Sequence, residues 1–272
     1  MLTRPKVFFL TLFLHAVSFC MGEKVLFIGN SYSVQCSKTI SGLFKSESPD
    51  WSLSFHTSGG KDLAFHFADS QVTKKINSQK WDFIVLQEQS QKSGLGGKFS
   101  KSFHESVASF SKVIRKAGAI PCLYLTWGRK DGDKRNSGIY PTYEAMQKKI
   151  SSAYLLAGEK NKARILPVGF AYSEVKKKNQ ELFENLYRND GSHPATHGAY
   201  LVSCVFWGGL TGKDPRTIKF NGSLSKEDAK SLRSASQVAL QNLKKRINDD
   251  SAKIHRLFGW VAHRRVILMA LL

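Results

Sequence analysis

The chain is poor in cysteine, in acidic residues, in long apolar runs and in internal repetition, and each shortage closes off a class of protein. Cysteines stand only at positions 20, 36, 122 and 204. No two of them have metal-ligand spacing, so a zinc-built domain is excluded, and three cysteines after position 20 do not make a disulfide framework. Cys122 and Cys204 lie in apolar surroundings and read as core residues, while Cys36 is either buried or paired. The longest apolar stretch, 7–19, is too short for a comfortable membrane span, so no stable span is expected. No repeat period is visible, which excludes a solenoid. Asp and Glu number 21 against 41 Lys and Arg, a formal net charge of +20. An excess of that size governs partners and association rates rather than fold. Nucleic acid is the first reading of it, yet no helix-turn-helix, zinc finger or aromatic-basic recognition pattern accompanies the charge, so no nucleic acid is expected. An anionic polysaccharide or a membrane surface suits an exported chain better, and solvated lysine faces are the bland alternative.

The start of the chain does resemble an export signal. Arg4 and Lys6 precede the apolar stretch, and small residues flank a cut near Cys20 to Gly22. Residues 1–22 are therefore expected to be removed from a secreted or periplasmic protein. Losing Arg4 and Lys6, and no acidic residue, takes the charge of +20 to +18. A second reading is lipid anchoring at Cys20, although bulky Phe19 sits where a lipoprotein site expects a small residue. Residues 23–250 are long enough for one well-cored domain. The basic and apolar tail, 251–272, is a packed helix, a surface-binding segment or an artefact of the reading frame.

Within the domain, short runs rich in Val, Ile, Leu, Phe and Tyr predict strands over 24–29, 51–57, 82–87, 119–126 and 163–168. Phe103, Val107, Phe110, Val113 and Ile114 have helical spacing over 100–117. Tyr143, Met146, Ile150 and Tyr154 repeat it over 141–157. Residues 195–209 are apolar on several faces, and 225–247 predict a charged, exposed helix. Strands alternating with helices imply an α/β fold, a central parallel sheet of about five strands with helices on both sides. Loops 90–100 and 129–141 follow strand ends and border a prospective ligand cleft.

The chemistry is concentrated at those strand ends. Gly29-Asn30-Ser31-Tyr32 follows the first strand, where open α/β sheets carry their ligands. The glycine permits a tight turn, so that Ser31 projects into the cleft and its N–H faces a developing oxyanion. Far along the chain, Asp190-Gly191-Ser192-His193-Pro194 supplies a histidine with a carboxylate three residues upstream. Pro194 suits the first turn of the following helix, leaving His193 near its cap. Gly191 lets the chain fold back so that Asp190 reaches the imidazole Nδ1 and leaves Nε2 to take a serine proton. Between these motifs lie Ser58-Gly59-Gly60, where backbone N–H groups can approach a ligand, and Gln87-Glu88-Gln89-Ser90, with side-chain amides at a strand end. His66 reads as structural, His197 as a surface group in the turn after Pro194, and His56 as a strand residue.

This set resembles the SGNH hydrolase superfamily, also called GDSL-like esterases. Gly29-Asn30-Ser31-Tyr32 resembles the first block, Gly59-Gly60 the second and Asp190-x-x-His193 the last. The third block departs from the family's Gly-x-Asn-Asp. Straight alignment puts Gln89 on the asparagine, but Trp81-Asp82-Phe83-Ile84-Val85-Leu86-Gln87 is similar to a divergent branch in which Leu-Gln recurs, which favours Gln87. Thr126-Trp127-Gly128 also resembles that branch.

The resemblance implies a three-layer, flavodoxin-like α/β/α sandwich and a serine esterase that needs no metal or organic cofactor. Ser31 would attack the acyl carbon, His193 would serve as base and then acid, and Asp190 would orient it. The oxyanion would be held by the N–H groups of Ser31 and of Gly59 or Gly60, with Gln87 or Gln89. Tyr32, Trp127 and Gly128 would line the pocket. A carbohydrate O-acetyl group is the expected substrate, alternatively a lipid or short-chain acyl ester. A non-catalytic carbohydrate-binding protein on the same scaffold is the reading from another class.

Overall fold

A computed structural model describes residues 22–269, with side chains to 249. The signal and lipid-anchor readings, apart from Gly22, fall outside the described residues, and so do the last three residues of the tail. In chain order the elements are β1 (Lys24–Gly29), α1 (Ser31–Glu47), β2 (Ser52–Thr57), α2 (Leu63–Ala68), α3 (Ser70–Asn77), β3 (Phe83–Leu86), α4 (Gly97–Lys116), β4 (Ile120–Tyr124), α5 (Tyr143–Lys160), β5 (Arg164–Leu166), α6 (Val168–Lys178), α7 (Gln180–Glu184), α8 (Thr196–Thr211) and α9 (Lys226–Met269).

All five strands run parallel in the order β2-β1-β3-β4-β5. The chain thus steps outward from β1 in both directions, leaving a crevice where the order reverses, beyond the C-terminal ends of β1 and β3. Each strand feeds both layers, because alternate side chains point to opposite faces. Val25 and Phe27 of β1 pack with Val85, Cys122 and Tyr124 against α1, α6 and α8. Leu26 and Ile28 pack with Ile84, Leu86 and Leu123 against α2, α4 and α5. The sheet is covered on both faces, as the strand–helix alternation predicts.

Some expectations need correcting. Residues after Asn30 form a 17-residue helix rather than a simple turn: Tyr32, Cys36, Ile40, Leu43 and Phe44 are its buried stripe. The helix over 225–247 is amphipathic rather than simply exposed. Ala229, Leu232, Ala235, Ala239 and Leu243 of α9 are buried, and the helix continues to Met269. Cys36, Cys122 and Cys204 are all free and buried, and burial pushes each thiol up to about 12. Among the described residues no helix is long and apolar enough to cross a membrane.

Candidate functional site

Asn30 starts the site. It is the N-cap of α1, its side-chain oxygen accepting from the Tyr32 N–H, and this makes Ser31 the first helical residue. The Ser31 N–H therefore has no acceptor within the helix and lies at the positive end of the helix dipole. Ser31 Oγ stands 2.9 Å from His193 Nε2, across 162 positions of chain. His193 Nδ1 lies 2.5 Å from Asp190 Oδ2.

The Asp190–His193 loop is organised by one carboxylate. Asp190 Oδ1 accepts from the N–H groups of Ser192 and His193, each at 2.9 Å, while Gly191 takes φ +62°. Burial alone would raise the Asp190 pKa, but the bonds from the His193 ring and from those two N–H groups outweigh it. The carboxyl is held down at about 2. It is thus an anion across the neutral range, which fixes the proton of His193 on Nδ1 and presents Nε2 to Ser31 as an acceptor. Pro194 does not enter the following helix as expected: it bridges to Tyr187, and α8 starts at Thr196 behind Ala195.

Around Ser31 Oγ is a cavity of about 120 Å³ lined by Asn30, Tyr32, Gly60, Gln89, Arg129 and Ser192, among others. Gly60 sits in a turn closed by Lys61 N–H donating to Ser58 C=O, at φ +68°, a conformation that favours glycine. The Lys61 carbonyl in turn accepts from Asn30 Nδ2, which couples this turn to the serine. Gly59 does not line the cavity. Gln89 does, with one amide hydrogen committed to Gln91 Oε1.

Gln87 is placed differently from the expectation. It is fully buried, and its Nε2 donates to Asn30 Oδ1 at 2.7 Å and to Glu88 C=O at 2.8 Å. Both amide hydrogens are consumed, so none is left for an oxyanion. Its Oε1 accepts from the Asn30 N–H and from Ser33 Oγ. Gln87 clamps the serine turn from behind. Trp127 and Gly128 are also off the cavity wall. Trp127 is buried in a stack, 4.5 Å from Tyr32 and 4.4 Å from Tyr172, and its indole N–H donates to Ser192 C=O. Gly128 donates to Gln147 and accepts from Tyr187, and a Cβ there would stand 3.0 Å from Tyr143 C=O. Tyr32 does line the cavity, its hydroxyl 2.7 Å from Ser192 Oγ. Arg129, which no sequence motif marks, follows Thr126-Trp127-Gly128 directly and lines the cavity from the 129–141 loop.

Two buried ionisable groups support the turn from below. His66 Nε2 donates to Gly29 C=O at 2.9 Å, and desolvation lowers its pKa, so a neutral ring braces the end of β1. Glu88, 2% exposed, accepts from the Gln89 N–H, but desolvation outweighs that bond and raises its pKa from 4.5 to about 7. The folded chain therefore keeps a proton between those two values that the unfolded chain has lost. Stability falls as pH rises through that window and levels above about 7. Glu88→Gln, which keeps the acceptor and removes the charge, is expected to recover up to roughly 3 kcal/mol of that fall. Melting temperatures of both proteins from about pH 5 to 8 check this, and an equal decline in both would assign the fall to other groups.

No protein-family model matches the chain, and no curated protein matches it in sequence. Solved structures do match in fold. A protein from Slackia heliotrinireducens described as a candidate SGNH hydrolase is 24% identical with a TM-score of 0.59, over 70% of this chain and 99% of that one. A DUF4886 family protein from Bacteroides uniformis is 20% identical at TM-score 0.70, over 81% and 95%. A catalytic mutant of Axe2, an acetylxylan esterase from Geobacillus stearothermophilus, is 14% identical at 0.55, over 70% and 94%. The chain has the three-layer α/β fold of the SGNH hydrolases, and its serine, histidine and aspartate stand at the sheet's switch point.

Proposed function

We propose that this protein is a serine ester hydrolase that removes a small acyl group, acetyl first of all, from a carbohydrate. The observation that carries the proposal is the line from Ser31 Oγ to His193 Nε2 to Asp190, at 2.9 and 2.5 Å, opening into the 120 Å³ cavity. The serine proton passes to Nε2 as Oγ attacks the acyl carbon, and Asp190 stabilises the imidazolium that forms. The tetrahedral oxyanion meets the N–H groups of Ser31 and Gly60, with the uncommitted Gln89 amide hydrogen as the side-chain donor. Collapse expels the alkoxide, His193 protonates it, and water repeats the sequence on the acyl-enzyme. The small polar cavity supports acetyl over longer chains. Carbohydrate as the alcohol rests on the acetylxylan esterase among the structures of the same fold and on the polar cavity beside Asp190 and Gly191.

The test is turnover of para-nitrophenyl esters of rising chain length, with a fluorophosphonate to label the nucleophile. Acetate is expected to exceed hexanoate by about 10²-fold in kcat/KM, since several methylenes find no room. The label is expected on Ser31. Labelling elsewhere, or no turnover of any ester, would sink the proposal.

A further inference from the structure

The ester-hydrolase reading leaves open what the alcohol is, and the geometry around His193 bears on it. A leaving alkoxide takes its proton from His193 Nε2, so the alcohol portion lies on the histidine side of Ser31. Next to the Asp190–Gly191 turn, a second cavity of about 300 Å³ is bounded by the 129–135 loop and by residues 189–191. The two walls are tied together by Lys130 N–H donating to Gly191 C=O at 2.8 Å. Arg129 lines both this cavity and the one around Ser31.

Arg129 is not a free surface arm. Its Nη1 donates to Asp133 Oδ1 at 2.8 Å, and the Asp133 side chain is wholly buried. Asp133 also accepts from the Gln91 and Asn136 side chains and from the Arg135 N–H. Burial would raise the Asp133 pKa, but these bonds and the Arg129 charge lower it, so the anchor stays ionised. The guanidinium is thereby held in place with donors to spare. Nε is buried without a partner, and Nη2 makes no protein hydrogen bond among the described residues. Lys134 and Arg135 are exposed on the same loop. Of the carboxylates there, Asp190 is occupied by His193 and Asp133 by Arg129, which leaves Asp131 exposed. Cations therefore dominate what a ligand meets, within a chain of net charge +20 that draws anions toward it.

We infer that Arg129 is a specificity-determining residue: its immobilised guanidinium receives a carboxylate on the alcohol portion, so that the substrate class is an O-acetylated acidic saccharide. A planar carboxylate gives charge-assisted acceptors to the guanidinium donors that Asp133 leaves unused, whereas a neutral sugar offers them only uncharged ones. The inference rests on the ester-hydrolase reading for its turnover readout, and on Arg129 alone for its binding readout.

The experiment compares kcat/KM on an O-acetylated uronate oligosaccharide with that on the matched neutral O-acetylated hexose oligosaccharide. Wild type is expected to favour the acidic ester by at least about tenfold, the advantage shrinking as salt rises from about 0.05 to 0.5 M. In Arg129→Gln the ratio should fall to near one, and Arg129→Lys should keep part of it with its salt dependence. Because Arg129→Gln strands a buried carboxylate, the pair Arg129→Gln with Asp133→Asn serves as the folded control and should give the same ratio. Calorimetric binding of the deacetylated uronate oligosaccharide needs no turnover. Turnover of both esters with equal kcat/KM, or no uronate binding, overturns this inference. Absence of turnover on every ester, with uronate binding lost in Arg129→Gln, overturns the hydrolase reading instead.

Discussion

Ser31→Ala is expected to lower ester hydrolysis by on the order of 10⁵–10⁶, and His193→Ala by a similar factor. The two groups act as one unit, so the double variant should be no slower than either single one. Asp190→Asn should cost less, about 10⁴, for a reason visible in the loop. An asparagine keeps an oxygen to accept the Ser192 and His193 N–H groups, as Asp190 Oδ1 does. The amide nitrogen then replaces Oδ2 against His193 Nδ1. Donor facing donor drives the ring to the tautomer protonated on Nε2, which cannot take the serine proton. The loop stays folded while the base is disabled. Rates on para-nitrophenyl acetate for all four variants, beside their melting temperatures, check this ordering. Additive losses in the double variant would show that Ser31 and His193 do not act in one step.

What could be read from the amino-acid order was whatever is local. The strands were legible because each is a short apolar run, and their parallel arrangement followed from the intervening helices. The Asp190 to His193 relation was legible too, since a three-residue offset with Gly191 between lets the carboxylate reach the ring, although a carboxylate that only caps the turn fits the same residues. The helix beginning at Ser31 was not. Its buried stripe is interrupted by Ser, Gln, Lys and Gly, and glycine and serine favour other conformations enough to hide the period. Side-chain direction at strand ends was also beyond reach. Alternation predicts that Gln87 and Gln89 share a face, but β3 ends at Leu86 and the rule lapses with it. Trp127 misled for another reason: an aromatic residue at a strand end serves a pocket wall and a buried stack equally well, and only the Tyr32 and Tyr172 rings decide between them.

Gln87→Ala is expected to destabilise the fold by about 3–4 kcal/mol and to lower kcat on acetate esters by about 10²-fold. The substitution strands three groups at once, the Asn30 N–H, the Ser33 hydroxyl and the Glu88 carbonyl, and leaves the Asn30 side-chain oxygen with the Tyr32 N–H alone. All are held in a buried site. The rate loss follows from position rather than chemistry. Asn30 caps α1 and Ser31 is its first residue, so slack in the cap moves Oγ relative to His193 Nε2. Gln87→Glu separates the two halves of the clamp. One carboxylate oxygen still accepts from Asn30 N–H and Ser33, but the other faces the Asn30 side-chain oxygen and the Glu88 carbonyl, where two donors were. That variant should therefore be at least as unstable at neutral pH as Gln87→Ala, and should regain stability in acid as the new carboxyl takes a proton. An oxyanion donor would behave otherwise. Removing it would cost 10²–10³ in rate, on the order of one subtilisin-type donor, with little change in melting temperature. Stability and rate falling together mark a clamp, and rate falling alone would return Gln87 to the oxyanion hole.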